Sequence, residues 1–191
     1  TNASDNVLTI NGGSFEDQIV AAYADVIASR NKVIITDGNF DISHNGGGYN
    51  NIVAVDENEN ISAKSNFSDN GVEISGGSFT ILENKTAQII GANSSEGTLT
   101  KNYVKIMGGT FDVSANNSEL NIFGAKSVNG VANYNTVLLQ GVSVDNLGVN
   151  GGYSDIGNVI GNKVELEKSI RLEILRLVFN KCVYLKRLGY V

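Results

Sequence analysis

One short pattern returns six times along this chain and limits what it can fold into: Asn, any residue, Val or Leu, any residue, Ile or Leu. The copies are Asn6-Val7-Leu8-Thr9-Ile10, Asn31-Lys32-Val33-Ile34-Ile35, Asn70-Gly71-Val72-Glu73-Ile74, Asn102-Tyr103-Val104-Lys105-Ile106, Asn135-Thr136-Val137-Leu138-Leu139 and Asn162-Lys163-Val164-Glu165-Leu166. Successive asparagines stand 25, 39, 32, 33 and 27 residues apart. Each copy alternates apolar and variable positions and is rich in β-branched residues, which predicts a short strand buried on one face. A unit of this size has no second layer to cover that face. The copies must therefore cover one another, as in proteins built from stacked repeats.

In the first five copies a bend and a further apolar residue follow at fixed offsets: Gly12-Gly13-Ser14-Phe15, Asp37-Gly38-Asn39-Phe40, Gly76-Gly77-Ser78-Phe79, Gly108-Gly109-Thr110-Phe111 and Gly141-Val142-Ser143-Val144. A second strand is read in Ile19–Ala22, Ile52–Val55, Ile89–Ala92, Ile122–Ala125 and Val149–Gly152, with small residues where a corner needs close packing. Stacking aligns Val33, Val72, Val104 and Val137 in one file. A second file holds Ile35, Ile74, Ile106 and Leu139, and a third holds Phe40, Phe79 and Phe111. The leading asparagines align at one corner. There they either hydrogen-bond along the stack or supply a turn conformation.

Residues 16–30 admit two readings. Ile19, Val20, Tyr23 and Ile27 have helical spacing, and Ser14 with Asp17 has the form of a capping box. Yet Ala21-Ala22-Tyr23-Ala24-Asp25-Val26 mirrors Gly151-Gly152-Tyr153-Ser154-Asp155-Ile156, whose glycines would make a poor helix. Strand and turn are favoured for both, with a terminal capping helix at 16–29 as the rival.

Composition supports many turns. The chain has 22 glycines, 26 asparagines and no proline. Residues 1–162 carry 17 acidic and 7 basic side chains, an acidic body that argues against nucleic acid as a partner. The lone Cys182 excludes a disulfide framework. No apolar run is long enough to span a bilayer as a helix.

Units of the form Asn-x-Val-x-Ile-x-Gly-Gly-x-Phe, and the stretch Gly151-Gly152-Tyr153-Ser154-Asp155-Ile156-Gly157-Asn158, resemble the passenger regions of bacterial autotransporter-type adhesins over residues 6–166. That resemblance implies a right-handed parallel β-helix and a place on the bacterial cell surface or in secretion. It also implies adhesion to a host-surface protein or glycan, and membrane attachment only through a C-terminal barrel beyond this chain. The expected fold is all-β: a β-solenoid of about five to six coils over 1–166, with a short helical cap at a terminus as an option. Residues 167–191 form a cap or a non-repeat tail. There, Lys168, Ser169 and Arg171 stand where glycines and an aromatic belong. A capping element, a basic membrane-surface segment and a change of reading frame are the three explanations, and the abruptness favours the last.

The expected function is structural or adhesive and not enzymatic, with no catalytic, cofactor or metal residues and with any binding surface on the loop 41–69 or an exposed sheet face. The alternative is a carbohydrate-active β-helix enzyme, a polysaccharide lyase or glycosidase. Its candidate carboxylates are Asp37 with Asp41, or Glu73 stacked near Lys105. These positions point outward on the expected strands, so a solvated face explains them. His44, the only histidine, lies among glycines and has no nucleophile motif beside it. Asp56-Glu57-Asn58-Glu59-Asn60 lacks the spacing of a calcium loop and reads as a polar loop. Gly46-Gly47-Gly48 opens no strand-to-helix phosphate loop.

Overall fold

The computed structural model describes residues 1–42, 51–58, 64–113 and 117–167, and beyond these the strand backbone at Leu175–Leu177 and Val183–Leu188. Among these residues the chain is all-β and has no helix. The strands form three parallel sheets of nine, eight and five strands. The chain visits them in a fixed order. Val7–Phe15 enters the nine-stranded sheet, Ile19–Ala24 the eight-stranded and Ile27–Ser29 the five-stranded. Lys32–Asp41, Asn51–Glu57 and Ser65–Ser68 then repeat the circuit.

The register is the one the repeat demands. Leu8, Val33, Val72, Val104, Val137 and Val164 are successive partners, and so are Ile10, Ile35, Ile74, Ile106, Leu139 and Leu166. Val33, Val72, Val104 and Val137 are fully buried. The second strands add the file Ile19, Ile52, Ile89, Ile122 and Val149. These files meet in one continuous core. Phe15, Phe40, Phe79 and Phe111 stack ring on ring, with centroids 5.2, 4.7 and 4.6 Å apart and planes within 10°. Each such pair adds about 0.5–1.5 kcal/mol beyond burial alone.

Two glycine positions show why the bends tolerate no side chain. Gly77 has φ +97°, a left-handed conformation, and a Cβ there would sit 3.1 Å from the Phe40 ring. A Cβ on Gly91 would come 2.4 Å from the Gly124 carbonyl oxygen. This is where the eight-stranded sheet bends, and the small residues expected at that corner are required by backbone contact.

At the corner leading into the nine-stranded sheet the asparagines form a ladder. The Nδ2 of Asn6, Asn31, Asn70, Asn102 and Asn135 donates to the Oδ1 of the next asparagine at 2.7, 2.9, 2.9, 3.1 and 3.0 Å. The backbone N–H of each of these residues donates to that same oxygen. The other Nδ2 hydrogen of Asn31, Asn70, Asn102 and Asn135, and one of Asn162, is accepted by a backbone carbonyl of the five-stranded sheet one circuit earlier, at Ala3, Ala28, Phe67, Leu99 and Ala132. Asn31, Asn70, Asn102 and Asn135 are fully buried, so this satisfaction is what makes their burial tolerable. The turn conformation falls elsewhere than on the asparagines. It is the residue before each one, Asp5, Arg30, Asp69, Lys101, Tyr134 or Gly161, that has positive φ.

The rival helix over 16–29 is replaced by strands Ile19–Ala24 and Ile27–Ser29, paired with Asn51–Glu57 and Ser65–Ser68. Asp17, the supposed capping partner, accepts from the N–H of Gln18. The helical cap is also absent from the described tail. Leu175–Leu177 pairs with Leu147–Asn150, and Val183–Leu188 pairs with Asn162–Glu167, both in parallel.

Candidate functional site

The carboxylates singled out from the sequence have local duties. Asp37 is exposed, and its Oδ1 accepts the N–H of Gly38 at 2.8 Å, which stabilises the bend. Asp41 ends its strand as the register partner of Thr80, itself the partner of Asp112. Glu73 is the partner of Lys105, as stacking predicted. Glu73 accepts from the Tyr103 hydroxyl at 2.7 Å and lies 3.6 Å from Lys32 Nζ, while Lys105 Nζ sits 4.8 Å from the Tyr103 ring centre. Partial burial opposes ionisation of Glu73. The Tyr103 hydrogen bond and the charges of Lys32 and Lys105 outweigh it, and the pKa falls below the usual value. Burial, then the Glu73 contact, pushes the Tyr103 phenol upward. Its ring lies against Gly71, where a Cβ would come 2.2 Å from the ring carbon Cζ.

His44, Gly46–Gly48, Glu59, Asn60 and Cys182 lie outside the described residues. Asp56 and Glu57, expected in a polar loop, belong to the strand Asn51–Glu57. Asp56 is 8% exposed. The sequence reading missed it because charge outweighed the alternation that begins at Ile52.

The most distinctive surface is on the outer face of the eight-stranded sheet. Two outward rows flank the bend at Gly91. One row is apolar: Val20, Val53, Ile90 and Phe123, followed by Asn150. Val53, Ile90 and Phe123 form a satellite cluster joined by Val20 and Tyr153. The other row is Tyr23, Asp56, Asn93, Lys126 and Tyr153. The Tyr153 ring meets Phe123 edge-on at 5.7 Å. Since Tyr153 reaches Phe123 from the neighbouring row, the rows face each other across a crease running along the stack.

Polar side chains cross or line this crease. Asp56 accepts from Asn93 Nδ2 at 2.9 Å, from the Glu57 N–H at 3.0 Å and from Gln18 Nε2 at 3.2 Å. Tyr23 donates to Gln18 Oε1 at 3.0 Å. Lys126 Nζ donates to Gln88 Oε1 at 2.9 Å and stands 5.6 Å from the Phe123 ring centre. Tyr153 donates to Asp155. Desolvation raises the Asp56 pKa against the pull of its three hydrogen bonds. Desolvation lowers the Lys126 pKa, opposed by the charges of Asp155 and Asp56. The hydrogen bond to Asp155, followed by burial, raises the Tyr153 phenol. Val53 and Ile90 are fully buried and Phe123 nearly so, closing the bottom of the crease. What faces solvent is the row of an amide, an ammonium and the rings of Tyr23 and Tyr153, which suits a ligand with one hydrophobic face and hydroxyl-bearing edges.

The mirrored tyrosine segments were the available signal for this surface: Tyr23 and Tyr153 end the same outward row. The intervening members are chemically unlike one another, and only strand register brings them together.

No curated protein and no solved structure matches the chain. A family model described as carbohydrate-binding domain-containing protein matches residues 1–115. The match covers more than half of the sequence, and the chain belongs to that family. The matched segment includes Lys32, Glu73, Tyr103 and Lys105, and from the crease Tyr23, Asp56 and Asn93.

Proposed function

We propose that this chain is a non-catalytic carbohydrate-binding module built on a right-handed parallel β-solenoid. The family match carries the carbohydrate assignment. The fixed circuit through three parallel sheets supports the solenoid reading, and the strong preference of parallel crossovers for the right-handed path supports its hand. Display on a bacterial surface or secretion, with adhesion to a glycan, extends the same reading along the autotransporter-like resemblance of the repeats.

The carboxyl chemistry supports binding over hydrolysis. Asp56 has the raised proton affinity that a general acid needs. Both of its oxygens, however, accept hydrogen bonds from Asn93, Glu57 and Gln18, an arrangement that holds an acceptor in place.

The experiment is retention on a panel of soluble and insoluble polysaccharides, with a parallel assay for released reducing ends and unsaturated products. Retention by at least one glycan without product is the expected result. Retention by none rejects the proposal, and product release replaces it with the enzymatic alternative.

A further inference from the structure

We infer that a neutral pyranose chain lies in the crease of the eight-stranded sheet, along the stacking direction, with Lys126 and Asn93 reading its hydroxyls and Tyr153 bordering its path. This assignment rests on the carbohydrate-binding reading and adds to it a place, an orientation and a ligand class.

Lys126 is the first reason. Its ammonium has three N–H donors. Among the described residues it meets one hydrogen-bond acceptor, Gln88, and the face of Phe123. The stem is drawn down beside the apolar row, so the head is part-buried and short of acceptors. A ligand hydroxyl supplies what is lacking.

The second reason is the contrast with the other polar cluster, on the nine-stranded sheet. There Glu73 already holds Tyr103 and Lys32. The Tyr103 ring lies against Gly71 and carries the Lys105 ammonium, so its faces are in use. In the crease, Tyr153 meets Phe123 edge-on and keeps partial exposure, and Tyr23 is 49% exposed.

Direction and class follow from the row. Tyr23, Asp56, Asn93, Lys126 and Tyr153 sit on successive rungs, so the row is roughly 19 Å long at the usual parallel spacing. A chain laid along it meets a new side chain at every rung, whereas a chain laid across it meets only one. Asp56 and Asp155 set two carboxyl groups against the single ammonium of Lys126, which disfavours an anionic polymer.

The test uses the full chain with a neutral and a uronic oligosaccharide series, about four units or longer, measured by calorimetry and affinity electrophoresis. Lys126→Met and Tyr153→Ala should each weaken binding by about tenfold or more, the scale of one charged hydrogen bond. Tyr103→Ala and Lys105→Met should stay close to wild type. Hydroxyl-radical footprinting of the wild-type chain needs no variant to fold: bound glycan should protect Tyr23 and Tyr153 and leave Tyr134 unchanged. Unaltered affinity in folded crease variants, or protection at Tyr103 in place of Tyr153, overturns the site while leaving carbohydrate binding standing. A stronger preference for the uronic series overturns the ligand class. Failure of the wild-type chain to bind any glycan overturns both readings together.

Discussion

Asparagine turns two corners of this molecule in opposite ways. Into the nine-stranded sheet, Asn31, Asn70, Asn102, Asn135 and Asn162 are buried with regular backbone, and the residue before each supplies the left-handed angle. Out of that sheet, Asn84, Asn117 and Asn146 carry positive φ themselves, with Asn84 and Asn117 exposed. Asn117 reaches Asn84 through a side-chain hydrogen bond of 3.1 Å. One corner uses the amide as a donor and acceptor. The other uses the tolerance of asparagine for a backbone shape that most side chains resist. The same residue type therefore contributes through hydrogen bonding in one place and through conformation in the other.

Substitutions can sharpen that contrast. The largest effect is expected from Asn102→Asp, which should cost about 4 kcal/mol or more at neutral pH. A carboxylate there keeps the bonds from Asn70 but cannot donate to the Phe67 carbonyl or to Asn135 Oδ1. Burial would raise its pKa. The cost is thus fully present above the raised value and shrinks as pH falls through it, which denaturant titrations at several pH values would follow. Asn102→Ala should cost about 3 kcal/mol with no such pH dependence, because it strands the Asn70 N–H and the Phe67 carbonyl.

At the exposed corner, Asn117→Ala should cost only about 1 kcal/mol, the conformational penalty, and Asn117→Gly should recover most of it. Equal losses at Asn102 and Asn117 in thermal unfolding would break the comparison. The smallest effect belongs to Lys101→Gly, beside the ladder. Relief of positive φ and the added chain entropy nearly cancel, so stability should stay within about 0.5 kcal/mol of wild type.

The core was readable in the sequence because each file repeats one kind of residue behind the same marker. Val33, Val72, Val104 and Val137 announce their alignment, and the Gly-Gly-x-Phe bends announce the ring stack. The helical spacing at Ile19, Val20, Tyr23 and Ile27 misled for a physical reason. Ile19 faces the core, Val20 and Tyr23 face outward, and Ile27 is 47% exposed. A strand that bends at Ala21 interrupts its own alternation, and the interruption imitates a period of 3.6. The crease was harder to see. A file made of Tyr, Asp, Asn, Lys and Tyr has no compositional signature, and only its mirrored tyrosines hinted at a shared row.

The amide ladder also has a direction. From Asn6 to Asn162 every side-chain link donates toward the higher residue number, so the amide dipoles point the same way and polarise one another. The next position in register after Asn162 is Val183, so the row of asparagines ends at Asn162. The column is therefore a one-way polar wire. A duplicated unit spliced into it would propagate the polarity only if it brought its own asparagine.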